Sequence, residues 1–141
     1  MTPLIDNTPH LNDELLPLLG ATLISIQEVE YHLYKAIQNL CKDAHSNNIQ
    51  TIKAMTSDQF LKGTTVEVKP TLLLLQNEFS DKLPISVDDI SNFIYHRNLV
   101  THSFWHAINP DVRESEKLAD PLLFLQKLYA QCEEWISLIK R

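Results

Sequence analysis

The sequence predicts an all-α fold: an antiparallel four- to five-helix bundle, opened by a long N-terminal helix, forming one domain over residues 1–141. Three observations predict it. A chain of 141 residues falls within the roughly 100 to 200 that one domain takes. Its two glycines leave too little turn chemistry for a many-stranded sandwich or barrel, which needs a turn about every 8 to 12 residues. Apolar residues recur at helical spacing, within a composition of 44% hydrophobic and 21% charged residues that suits a soluble globular chain.

The first helix is expected from about Asn12 to Ala44, because Leu19, Leu23, Ile26, Leu33, Ile37 and Leu40 mark one face. Asn12 can cap it, Pro17 delays the regular hydrogen bonding by a turn, and Ser46-Asn47-Asn48 ends it. In residues 49–69, Thr56-Ser57-Asp58-Gln59 offers a capping box for a short helix that Gly63 stops. Thr64 to Val68 alternates like a strand without a partner and reads as extended loop. Pro70 then opens a helix, Thr71 to Ser80, with Leu72, Leu75 and Phe79 on one side. Ser86 caps the next helix, whose first-turn Asp88 and Asp89 complement its dipole, and the helix runs to about Ile108. Asn109-Pro110-Asp111 breaks it, and a charged loop, Arg113 to Lys117, follows. Asp120-Pro121 begins the last helix, with Leu125, Leu128, Cys132, Trp135 and Ile139 as its core stripe.

A net charge of −6 argues against broad affinity for nucleic acid, so any contact with a polyanion must be local. Cys41 and Cys132 lack CxxC spacing and read as buried thiols of a reducing cytosol. The opening residues lack the pattern of a signal peptide, and no run approaches the ~20 apolar residues of a membrane span. The expected location is cytoplasmic, away from membranes.

The helix from Ser86 to Ile108 breaks its own pattern. Ile90, Phe93, Ile94, Thr101, Phe104 and Ile108 lie within roughly 60° of one direction on a wheel, and Arg97 sits among them. A guanidinium in an apolar stripe must be paired or open onto a cleft. Glu30, within the core stripe of the first helix, is a candidate partner. His102 lies about 140° around the helix from Arg97.

Arg97-Asn98-Leu99-Val100-Thr101-His102 resembles the Arg-x(4–6)-His signature of the HEPN superfamily, including the polar residue after the arginine. Those proteins are small helical bundles, many of them metal-independent endoribonucleases and toxins of bacterial toxin–antitoxin systems. The specific part of the resemblance covers about nine residues. It implies a homodimer with RNA as substrate, a cognate antitoxin protein as partner and no cofactor or metal. Arg97 and His102 would be catalytic, with Asn98 and Glu30 supporting. Histidine titrates near neutrality and can move a proton at the ribose 2′-hydroxyl or the 5′ leaving oxygen, while arginine offers donors to phosphate. The family's products carry a 2′,3′-cyclic phosphate or 3′-phosphate and a 5′-hydroxyl. One branch carries Arg-x4-His-x-Tyr, in which the tyrosine receives AMP from a nucleotidyltransferase antitoxin. Phe104 stands at that position and has no hydroxyl.

Two other readings compete. In a non-catalytic helical interaction or regulatory module, Arg97 would be a structural charge paired with Glu30. In a metal-binding bundle, His102 and His106 would share an ion, with His96 nearby.

Overall fold

A computed structural model describes residues 13–109, 111, 112 and 117–141. The architecture is all-helical, with no strand among the described residues: α1 Leu15–Cys41, α2 Asn47–Lys53, α3 Thr65–Phe79, α4 Val87–Asn98, α5 Phe104–Ile108 and α6 Pro121–Ile139. A short 3₁₀ turn, Ser80–Lys82, follows α3, and a π-helical turn, Leu99–Ser103, joins α4 to α5. No described helix is long and apolar enough to cross a membrane.

The 27 residues of α1 span about 40 Å at 1.5 Å per residue. Pro17 is the third of them, where its missing N–H has no intrahelical partner to lose. The expected cap, Asn12, lies outside the described residues. The most extensive helix pairing is between α1 and α6. Ile26, Val29, Leu33 and Ile37 meet the stripe Leu125, Leu128, Cys132, Trp135 and Ile139, all buried. Buried Ser25 crosses the same interface, its hydroxyl donating to Glu133 Oε1 at 2.9 Å. Leu19, Leu23 and Leu40, assigned to the core face, are half-buried and pack on its edge.

Two caps behave as the sequence predicts. Ser86 Oγ accepts from the Asp89 N–H at 3.1 Å, and Asp120 Oδ1 accepts from the Leu123 N–H at 3.1 Å with Pro121 in the first helical position. Both cysteines are buried and free.

Residues 42–70 require three corrections. The polar cluster after α1 starts a helix as well as ending one: Ser46 caps α2, whose Ile49 and Ile52 are buried, and Tyr34 and Gln38 of α1 donate to the carbonyls of Met55 and Ile52. Thr56 to Leu61 forms turns and no helix, although Gln59 Oε1 does accept from the Thr56 N–H. Thr64 to Val68 is the start of α3 and is not extended. A reciprocal capping box sets it, Thr64 Oγ1 accepting from the Glu67 N–H and Glu67 Oε1 accepting from the Thr64 N–H, and this local pairing overrides the two-residue alternation. Pro70 therefore lies inside α3 and does not open it. Leu72, Leu75 and Phe79 are buried as predicted.

Candidate active site

The expected single helix from Ser86 to Ile108 is interrupted. After Asn98 the chain takes a π turn over Leu99–Ser103 and resumes as α5. In a π turn the hydrogen bond closes to the fifth residue, so residues five apart draw toward one face, whereas an α-helix holds them about 140° apart. Arg97 and His102 are five apart, and both line one cavity of about 780 Å³. Glu30 and Asn98 line it too, together with the loop around Gly63 and the exposed Tyr95. All four expected site residues thus share a cavity within one chain. The wheel's prediction that Arg97 and His102 diverge assumed an uninterrupted α-helix. The same turn exposes Thr101, expected in the core stripe, while its hydroxyl donates to the Arg97 carbonyl at 2.8 Å.

Arg97 is 8% exposed, and its fork of five N–H donors is largely occupied. Nη1 donates to the Leu61 carbonyl at 2.9 Å and Nη2 to the Gly63 carbonyl at 2.9 Å. Nε and Nη2 both donate to Asn98 Oδ1, at 3.2 and 3.1 Å. Asn98 Nδ2 completes the cluster by donating to the Gly63 carbonyl at 2.9 Å. Two left-handed residues, Leu61 (φ 56°) and Gly63 (φ 109°), shape the loop that supplies these carbonyls.

Glu30 is the anticipated partner, yet Nη1 to Oε2 is 3.8 Å, an ion pair beyond hydrogen-bond length, and the Glu30 side chain is 41% exposed. Burial raises the Glu30 carboxyl above its ordinary range, and the nearby guanidinium only partly opposes this. Burial likewise weighs against the charged form of Arg97, with Glu30 opposing. The arginine's principal partners are thus backbone oxygens from residues 61–63. A left-handed glycine just before the Thr64 capping box was the available signal for such a loop, but its contact with Arg97 has no sequence signature.

His102 is exposed at the cavity, and its imidazole makes no hydrogen bond among the described residues. Asn98 bonds to Arg97 and Gly63 and does not orient the histidine ring. Phe104, at the position of the modifiable tyrosine in one HEPN branch, is buried in the core. Trp105, next in the chain, is 53% exposed. Among the described residues no group of three or more His, Cys, Asp or Glu side chains could hold a metal ion. His96 packs its ring on Phe124, with centroids 5.7 Å apart, and His106 packs on Trp105.

Comparison with protein-family models, curated proteins and solved structures finds no match to this chain. The functional reading therefore rests on the cavity and on the resemblance carried by residues 97–105.

Proposed function

We propose that this protein is a HEPN-like, metal-independent endoribonuclease, of the kind that serves as a toxin in toxin–antitoxin or host-defence systems, acting as a homodimer. The observation that carries this reading is the single cavity that Arg97 and His102 both line, with a π turn between them in the chain. π turns inside helices recur at functional sites. His102, exposed and without a hydrogen bond among the described residues, serves as the proton-transfer group. A base takes the ribose 2′-hydroxyl proton, the 2′ oxygen bonds to phosphorus, and the 5′ oxygen leaves with a proton from an acid, giving a 2′,3′-cyclic phosphate and a 5′-hydroxyl. Glu30, with its raised carboxyl, is a further titratable group lining the same cavity. Arg97 contributes a fixed positive charge, because most of its donors are already held by carbonyls and Asn98.

The test uses total RNA in excess chelator, with purified protein and its His102→Ala variant, followed by mapping of the new ends. Cuts that resist chelator, leave cyclic phosphates and vanish in the variant are expected. Cleavage retained in a folded His102→Ala protein would end this assignment. Sedimentation tests the dimer, and a chain that stays monomeric at high concentration would remove the homodimer from this reading.

One observation favours a second reading, a non-catalytic HEPN-like interaction module: the arginine fork is occupied by the protein itself. That module predicts no cleavage from protein stripped of any copurifying partner.

A further inference from the structure

A second cavity, of about 300 Å³, lies between α4 and α6. Asp89, Asn92 and His96 line it from α4, at spacings of three and four that put them on one helix face. Phe124, Lys127 and Trp135 line it from α6. Its volume sits at the lower end of the roughly 300 to 1,000 Å³ of ligand pockets, enough for one planar heterocycle and its sugar.

Two further observations give it a chemistry. Tyr95, on the wall of the His102 cavity, meets the His96 ring edge-on with centroids 5.5 Å apart, and His96 meets Phe124 edge-on at 5.7 Å. Three rings therefore run in unbroken contact from the first cavity into the second. Among the described residues, the side chains of Asp89, Asn92, His96 and Lys127 make no hydrogen bond or ion pair with the protein, which leaves a carboxylate, an amide, an imidazole and an ammonium for a ligand. Burial lowers the pKa of His96, so at neutral pH it presents an uncharged ring.

We propose that the α4–α6 cavity receives one base of single-stranded RNA against the His96 and Phe124 rings, with Asp89 and Asn92 on the base edge and Lys127 toward a neighbouring phosphate. The proposal rests on the ribonuclease reading and deepens it, since it puts a base site beside the cavity in which the phosphodiester would be cut. Single strands are the fitting class because their bases can be splayed out and stacked on side-chain rings. Asp89 accepts hydrogen bonds and donates none when ionised, so it favours bases with an exocyclic amino group over uracil. One ammonium, in a chain of net charge −6, makes the contact local.

The test uses the full chain carrying His102→Ala, so that RNA is not consumed, and fluorescent oligoadenylate and oligouridylate of about eight nucleotides, within the span of single-strand sites. Oligoadenylate is expected to bind more tightly. His96→Ala should weaken it by roughly 5- to 100-fold, the range of one lost base–ring stack. Lys127→Glu, at an exposed position, should weaken both oligomers, more so at low salt. In Trp105→Phe, Trp135 becomes the single tryptophan, and its emission should change as oligoadenylate binds. Affinity within twofold of the parent in both folded variants, or unchanged Trp135 emission, would overturn the proposal. If the wild type cuts RNA while both variants bind like the parent, the base site alone falls. If nothing is cut yet binding depends on His96 and Lys127, the base site stands and the cleavage reading falls.

Discussion

Arg97 Nη2 donates to the Gly63 carbonyl at 2.9 Å, tying α4 to the loop before α3 through an arginine that the sequence places in the middle of an apolar stripe. Asn98 reaches the same oxygen at the same distance. The pair ties together two segments that line the larger cavity, and it separates two roles that the motif alone runs together. Arg97 holds the wall, and His102 faces the space in front of it.

Arg97→Ala should therefore cost far more stability than Glu30→Gln. Removing the guanidinium leaves the Leu61 carbonyl and Asn98 Oδ1 without their donors, while the Gly63 carbonyl keeps Asn98 Nδ2, at about 1 to 3 kcal/mol for each group left unsatisfied. The cost expected in urea unfolding is therefore about 3 kcal/mol or more. Glu30 is a partly exposed partner at 3.8 Å, and burial outweighs Arg97 in setting its carboxyl. Its replacement should shift stability by less than about 1 kcal/mol. A Glu30→Gln loss as large as that of Arg97→Ala would restore the ion pair as the main support of the arginine.

Gly63→Ala tests the loop itself. At φ 109° a side chain is strained, and a Cβ there would lie 3.0 to 3.2 Å from the Glu67 side chain, the partner in the capping box that starts α3. A loss of about 1 to 3 kcal/mol is expected, with the Arg97 contact disturbed. Thermal unfolding indistinguishable from wild type would show that the loop adopts another conformation at no cost.

The helix stripes and the caps at Ser86 and Asp120 are legible in the sequence because each depends on neighbours within one turn. So is the conflict at Arg97, since an apolar wheel makes a central charge visible. Its resolution is not legible: the carbonyls of Leu61 and Gly63 lie 36 and 34 residues away and carry no side-chain signature. The π turn is hidden for a different reason. A wheel drawn at one angle per residue cannot register an added residue in a turn, so it sent His102 away from Arg97 and Thr101 into the core. At Thr64 the alternation suggested an extended segment, but the Thr64 and Glu67 capping pair was already readable and was the stronger signal.

Cys132 should resist modification in the native protein. Burial and the neighbouring Glu133 push its thiol up to about 12, so almost none is thiolate at neutral pH. Cys41 is shifted in the same direction, mainly by burial. Labelling with an aromatic disulfide reagent at pH 7.5 should be slow for both thiols and complete on unfolding. Rapid native labelling of Cys132 would show that the α1 and α6 interface opens readily.

His96 gives the fold a pH dependence whose direction follows from its burial. Its pKa in the folded protein lies below the ordinary histidine value, and loss of solvation is the cause. Between the two values the unfolded chain binds more protons than the folded one, so stability rises with pH through that window. The contribution is fully present above the ordinary histidine value and is lost as pH falls through the depressed one. Unfolding free energies measured from pH 7.5 down to pH 5 should decline, and His96→Gln should flatten the part of that decline nearest neutrality. An unchanged slope in the variant would assign it to the other titrating groups, and would mean that the ring against Phe124 is better solvated than its packing implies.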